Sequence, residues 1–298
     1  MDEIREVSVE NLEVIGKGVT GTIYRLNEDQ ILKLYATSVP LEDIKKQRNI
    51  SLSAYEKGIP TAKVYDLVSC NGQYGVIFEY LKTGTLMAAI GTDTYKRMAY
   101  GTKMGALLKK LHDTSFEPGS FQSIRDMALG NIKRCQDYLS DGQMQELTDY
   151  LERYEKSTHL LHGDFHENNI MVRDGEPVLI DLDSMCEGSP IADFAQMYCS
   201  YKMPLPPEIA KKLNITPEIT REFLYRILRA YFGDMDDASI QKYDELFTEC
   251  SKYHRFFFPL LKAKPEQKED MKKYVEGEFP KLRETMAECT KWMKELGF

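Results

Sequence analysis

The sequence predicts an α+β chain in which a small antiparallel-sheet lobe is followed by a larger, mostly helical one. Three observations carry that prediction. Short β-branched and aromatic runs divided by turn residues fill the chain as far as Tyr80, and longer stretches with apolar residues at helical spacing take over from Thr94. The run Leu81-Lys82-Thr83-Gly84-Thr85 separates the two textures. The expected organisation is a β-rich lobe over residues 1–80, a hinge at 81–84 and a helical lobe over 85–298.

In chain order, Leu12-Glu13-Val14-Ile15 reads as a strand leading into Gly16-Lys17-Gly18-Val19-Thr20-Gly21. Thr22 to Leu26 and Ile31 to Tyr35 read as two more strands around a turn at Asn27 to Gln30. A Gly-x-Gly-x-x-Gly run marks a dinucleotide-binding unit when it opens a helix, but here it opens a strand. Two readings stay open: a loop that brings backbone N–H groups to phosphates, or a plain glycine-rich hairpin. Leu41 to Lys57 reads as a helix with Leu41, Ile44, Leu52 and Tyr55 near one face and Gly58 as its stop. Strands around Lys63 to Ser69 and Tyr74 to Tyr80 flank the turn pair Asn71-Gly72. Helices follow at Thr94 to His112, about Ile124 to Tyr138 and about Gln143 to Lys156, and again beyond Ile191.

Between these helices lies the densest polar stretch, His162 to Asp183. Asp174-Gly175 separates the apolar runs Ile170 to Val172 and Val178 to Ile180, which predicts a tight hairpin. With those two residues as the loop, Arg173 faces Glu176 and Asp181 returns beside Asn168 and Asn169. A carboxylate and an amide oxygen at the open end of a hairpin suit a hard cation such as Mg²⁺. His159, His162 and His166 match no common zinc spacing.

The 298 residues are 42% hydrophobic and 29% charged, ordinary values for a folded domain or two. A formal net charge of −8 argues against general affinity for nucleic acid or anionic membrane and mildly favours cationic small molecules. No apolar run has bilayer length, and Met1 to Glu6 lacks the apolar segment of a signal peptide. Six scattered cysteines without a Cys-x-x-Cys pair suit a reducing compartment. The expectation is a cytoplasmic protein with no nucleic-acid, membrane or obligate protein partner.

A glycine loop, a lysine on the third strand, a hinge, then His162-Gly163-Asp164, Asn169 and Asp181 resemble the protein-kinase-like fold, most closely its aminoglycoside phosphotransferase and choline kinase branch. The resemblance covers about Val14 to Tyr198. It implies an ATP-dependent phosphotransferase, with GTP as the alternative nucleotide, acting on a small-molecule hydroxyl acceptor with Mg²⁺. Asp164 would be the catalytic base, and Asn169 and Asp181 the metal ligands. Lys33 would contact the α/β-phosphates under a loop formed by Gly16, Gly18, Thr20 and Gly21, and adenine would meet the backbone from Glu79 to Leu81. Asp193 would brace the catalytic loop, the alternative being a helix-capping carboxylate. His162 and His112 read as structural residues, and His166 is left between substrate contact and support. Asp183 is left between a second metal contact and a strand-end polar residue.

The chain departs from the family in one respect. Where the first helix normally supplies a glutamate to the strand lysine, it offers Gln47, Arg48 and Asn49, with Glu42 and Asp43 about one turn too early. Lys33 is then left to Asp181 or to the phosphates alone. A strict hairpin register also pairs Asp181 with Asn168, keeping it as the near miss to Asn169. Only eleven residues separate Asp181 from Asp193, too few for a peptide-binding segment, so an amino sugar, amino alcohol or similar small acceptor is expected. Asp234, Asp236, Asp237, Tyr231, Phe232 and Tyr253 are candidates for its pocket wall, with a solvated charge run or core face as the alternative. A non-catalytic nucleotide-binding scaffold and an atypical protein kinase are the competing readings.

Overall fold

In the computed structural model, which describes residues 4–18, 20–152, 158–233 and 235–296, the N-terminal region is a six-stranded sheet. Its strands are β1 (Arg5–Glu6), β2 (Glu13–Lys17), β3 (Gly21–Arg25), β4 (Gln30–Tyr35), β5 (Val64–Cys70) and β6 (Gln73–Glu79), with helix α1 (Leu41–Glu56) between β4 and β5. The order is β1-β5-β6-β4-β3-β2, antiparallel except where β1 joins β5. Period-two alternation on β4 divides its residues between two cores. Leu32 and Leu34 pack with Val68, Cys70 and Ile77, while Tyr35 packs with Ile44 of α1, Val64 and Val76. Burying each such aliphatic side chain stabilises the fold by about 1.5–3 kcal/mol.

The chain continues through α2 (Leu86–Ile90), α3 (Thr94–His112), α4 (Ile124–Arg134) and α5 (Asp141–Leu151), then β7 (His159–Leu161), β8 (Ile170–Arg173), β9 (Glu176–Leu179) and β10 (Cys186–Gly188). It ends in α6 (Ile191–Lys202), α7 (Pro207–Lys212), α8 (Pro217–Phe232), α9 (Asp237–Lys262) and α10 (Lys268–Leu296). This is the expected α+β arrangement of a sheet-rich N-terminal region and a helical C-terminal one. None of the described helices is long and apolar enough to cross a membrane.

Two compact units emerge from the packing. The first comprises Met1–Ala89 and Glu167–Asp183, the second Ile90–His166 and Ser184–Phe298. The expected division at 81–84 thus falls inside the first unit, which also takes in the hairpin. β8 and β9 pair from Ile170 opposite Leu179 to Arg173 opposite Glu176, and Asp174 (φ 52°) and Gly175 (φ 81°) form the loop. The hairpin belongs with the sheet because its backbone finds partners there. Leu179 N–H donates to Pro60 O at 2.8 Å, the Thr61 hydroxyl donates to Leu179 O at 2.9 Å, and the Thr83 hydroxyl donates to Val172 O. Val178 packs with Ala62 and Leu81.

In the second unit α3 packs on α8, α6 on α9 and α9 on α10. The α3 bounds are those expected, because Asp93 caps it by accepting from Lys96 N–H at 3.0 Å. The next two helices differ from expectation. α4 stops at Arg134 rather than Tyr138, and α5 starts earlier, at Asp141, because Ser140 and Gln143 form a reciprocal capping box. Lys156, its expected end, lies outside the described residues. The β7–β10 ribbon and α2 were not anticipated from sequence: each is five residues or shorter, below the length at which periodicity is readable.

Candidate active-site residues

Lys33 lies on β4 between Ile23 of β3 and Val76 of β6, so its backbone is fixed by two ladders. Its ammonium meets two carboxylates of the first unit, Asp181 Oδ1 at 3.0 Å and Asp183 Oδ2 at 2.9 Å, and stands 5.1 Å above the ring of Tyr35. Burial by itself would lower the Lys33 pKa, but the charges of Asp183, Tyr35 and Asp181 outweigh it and the net movement is upward. Burial pushes the Tyr35 hydroxyl up to about 12. Burial likewise raises Asp183, opposed by Lys33 and reinforced by the neighbouring Asp181. Two carboxylates sharing one ammonium leave a net negative charge, which favours an added cation.

Asn169 sits one step further along the hairpin. Its carbonyl accepts from Ile180 N–H at 3.0 Å, so the ladder runs to Ile180, and the left-handed backbone of Asp181 (φ 56°) then ends it. Asn169 is half-buried and Asn168 exposed. Among the described residues no group of three or more His, Cys, Asp or Glu side chains is arranged to hold a metal. Magnesium needs less, since one or two carboxylates suffice when phosphates and waters complete its octahedron. The donor set of Asn169 and Asp181 therefore fits Mg²⁺ brought in with a nucleotide.

Around the glycine run, β2 carries a bulge between Val14 and Gly16, and Gly18 N–H donates to Gly21 O at 2.9 Å. Thr20 is exposed, and its carbonyl accepts from Ala36 N–H at 2.8 Å. Gly21 lies opposite Tyr35, where a Cβ would overlap the Leu34 carbonyl oxygen, so sheet packing alone requires this glycine. Val19 is outside the described residues. At the far end of the sheet, the Glu79 carboxylate accepts from Arg173 Nη2 at 2.6 Å and from Lys63 N–H at 3.0 Å. Glu79 N–H donates to Lys63 O at 2.9 Å and Tyr80 N–H to Asp29 O at 2.8 Å, while Leu81 is buried.

The second unit holds Asp164. Its Oδ1 is 3.4 Å from His166 Nε2 and accepts from Gln196 Nε2 at 3.4 Å, and its N–H donates to His162 Nδ1 at 3.2 Å. Burial would raise the Asp164 pKa, but His166, Gln196 and His162 together hold it below the usual carboxylate range, so it is ionised. The loop that carries it is fixed from beneath. Asp193, fully buried on α6, accepts from His162 N–H at 2.8 Å, Gly163 N–H at 2.7 Å and His112 Nε2 at 3.1 Å. Its pKa is lowered because these donors outweigh the burial that would raise it. Asp193 caps no helix here. Gly163 adopts φ 78°, and a Cβ there would strike the Ser184 carbonyl oxygen.

His162 and His112 are buried and structural: His112 links Asp193 to the Tyr231 hydroxyl (2.7 Å), and its carbonyl faces His159 Nδ1 at 2.9 Å. The described residues considered for an acceptor wall also make contacts of their own. Phe232 stacks with Phe194 and Tyr243, and the Tyr253 hydroxyl is buried. Asp236 caps α9 and Asp237 pairs with Arg229, whereas Asp234 lies outside the described residues. Gln196 was not foreseen, since nothing in its local sequence marks a partner 32 positions away.

Three solved structures share this fold at low sequence identity. Amicoumacin kinase hAmiN, in complex with AMP-PNP, Ca²⁺ and Ami, aligns over 92% of this chain and 89% of its own at 16% identity and a TM-score of 0.59. An aminoglycoside phosphotransferase from Streptomyces rimosus, in complex with ADP and streptomycin, aligns over 85% and 93% at 16% identity and a TM-score of 0.57. A choline/ethanolamine kinase family protein from Mesorhizobium loti aligns over 95% and 87% at 14% identity and a TM-score of 0.54. No curated protein matches in sequence. The model of the phosphotransferase enzyme family matches residues 11–239, from the glycine run through both aspartate motifs to the start of α9, and on that match the chain belongs to this family.

Proposed function

We propose that the protein transfers the γ-phosphate of ATP to a hydroxyl of a small molecule such as an amino sugar or amino alcohol. The observation that carries this reading is Lys33 drawn to Asp181 from 148 positions away, an ammonium beside a carboxylate that would serve as phosphate contact and metal ligand. Phosphoryl transfer asks for little covalent help and much charge placement. Lys33 would bind phosphate oxygens as a point charge, the loop amides around Gly16, Gly18, Thr20 and Gly21 would cover them, and Glu79 and Leu81 would take adenine through their backbone. Asn169 and Asp181 would hold Mg²⁺, which when bound offsets the charge on the phosphate oxygens. Asp164 would orient the acceptor hydroxyl and take its proton as the acceptor O–P bond forms and the bond to the β-phosphate bridging oxygen breaks, releasing ADP.

A small acceptor is supported by the span between Asp181 and Asp193, where a 3₁₀ turn, β10 and the start of α6 use most of the segment. Solved structures of this fold bound to streptomycin and gentamicin give the same direction. The test is a panel of amino sugars, amino alcohols, sugars and nucleosides with ATP or GTP and Mg²⁺, read by nucleoside diphosphate release. Asp164→Asn is expected to lose roughly 10²- to 10⁴-fold in turnover while nucleotide affinity stays within about threefold. Nucleotide binding without turnover across the panel would favour a non-catalytic scaffold. Transfer to a generic protein substrate would favour an atypical protein kinase.

A further inference from the structure

A lysine that is to meet phosphates from a strand works best in one rotamer, because an unrestrained side chain loses rotamer entropy on binding. Helix α1 offers no acid for this purpose. Glu42 is exposed and paired with Lys45 at 2.7 Å, Asp43 and Glu56 are exposed, and Arg48 donates to Tyr65 O at 3.1 Å. The half-buried Gln47 has its Oε1 without a hydrogen-bond donor. Two aspartates approach Lys33 instead, and burial separates them. The Lys33 side chain is 18% exposed and that of Asp183 22%, whereas that of Asp181 is 52% exposed. Leu182, between the two, is buried and pins the turn that carries them.

The geometry points to Asp183 as the positioning residue of Lys33, taking the place of the acid that α1 lacks, and to Asp181 as the outward carboxylate that gives up Lys33 when metal and phosphates arrive. The functional half rests on the phosphotransferase reading; the pairing half does not. This accounts for a lysine that keeps its place without a helix glutamate. It also removes the one sequence departure that spoke for a scaffold.

Two measurements test it. The first is a urea-denaturation cycle in EDTA with Lys33→Met, Asp183→Asn and both together, beside the matching cycle with Asp181→Asn. Expected is strong non-additivity for Lys33 with Asp183 and near additivity for Lys33 with Asp181. Equal coupling in both cycles, or none with Asp183, overturns the assignment. Should Asp183→Asn alone not fold, the double variant is expected to recover folding, since it removes the largely buried ammonium and leaves only the half-exposed Asp181 carboxylate to solvent; a double variant no better than the single overturns it equally. The second is kinetic. Asp183→Asn is expected to raise the ATP KM about tenfold with the Mg²⁺ concentration for half-maximal rate unchanged, and Asp183→Glu to recover most of the loss. A shift in the Mg²⁺ requirement with an unchanged ATP KM at saturating Mg²⁺ would make Asp183 a second metal ligand. A wild-type protein without transferase activity would refute the function and leave the EDTA cycle to decide the pairing.

Discussion

Replacing Asp193 by asparagine changes one oxygen to an NH₂ group and removes one charge, yet the surroundings make it severe. The carboxylate is fully buried and accepts three donors: two backbone amides at 2.7 and 2.8 Å and His112 Nε2 at 3.1 Å. An asparagine has a single acceptor oxygen, so at least one of these N–H groups would face another N–H with no water to turn to. Breaking a buried, charge-assisted network from one side costs about 3–5 kcal/mol. For a unit of this size that corresponds to a Tm lower by roughly 6 to 20 °C. The assay is urea or thermal unfolding of Asp193→Asn against wild type, with His112→Ala as the milder comparison that leaves both amides bonded. The pH dependence supplies a second check. A carboxylate whose folded pKa lies below its unfolded value stabilises above the ordinary carboxylate range, and that stability is lost as pH falls through the lowered folded value. Wild type should therefore lose stability below about pH 4 more steeply than Asp193→Asn does. A variant within 1 kcal/mol of wild type, with unchanged turnover, would refute the brace.

Further outcomes follow from the same geometry. Asp181→Asn should raise the Mg²⁺ concentration for half-maximal rate by roughly tenfold or more, read from metal titrations at fixed ATP, and a titration curve unchanged from wild type would remove Asp181 from the metal site. Because Asp164 is held below the usual carboxylate range, it stays ionised as pH falls from 7 to 5 and should contribute no acid limb to kcat/KM there. A one-proton limb in that window that persists in His166→Gln would contradict this. Arg173→Leu strips the Glu79 carboxylate of its 2.6 Å partner and should raise the ATP KM while leaving the acceptor KM in place. Parallel changes in both would mean general loosening instead.

What could be read from the sequence is what local chemistry dictates. Asp174-Gly175 fixes the hairpin because only residues tolerant of positive φ make a two-residue turn, and Arg173 duly faces Glu176. The α3 bounds were legible from apolar residues at helical spacing between Thr94 and His112, and the fold adds the Asp93 cap at its start. The rest depends on residues far apart in the chain. Nothing near Lys33 announces Asp183, 150 positions on, and Gln196 reaches Asp164 only through the packing of α6. Of the aromatic residues proposed for a pocket wall, Tyr231 and Phe232 are half-buried and meet the ring of Phe194, a contact that spacing along the chain cannot distinguish from lining a cavity. The membership of the hairpin was equally hidden, since texture along the chain cannot show which earlier backbone groups it will satisfy.

The first unit is built from two separate stretches of chain, with the whole of Ile90 to His166 made between them. As the protein emerges from a ribosome, the N-terminal sheet is complete long before its lysine has a counter-ion, and Pro60 O and Thr61 wait for Leu179 to arrive. Residues 1–89 produced as a fragment would carry the glycine run and Lys33 but neither Asn169, Asp181 nor Asp183. Such a fragment would hold the sheet and its lysine without their acid partners, and supplying residues 167–183 as a separate peptide becomes a direct way to ask how much of the unit can be reassembled from its two pieces.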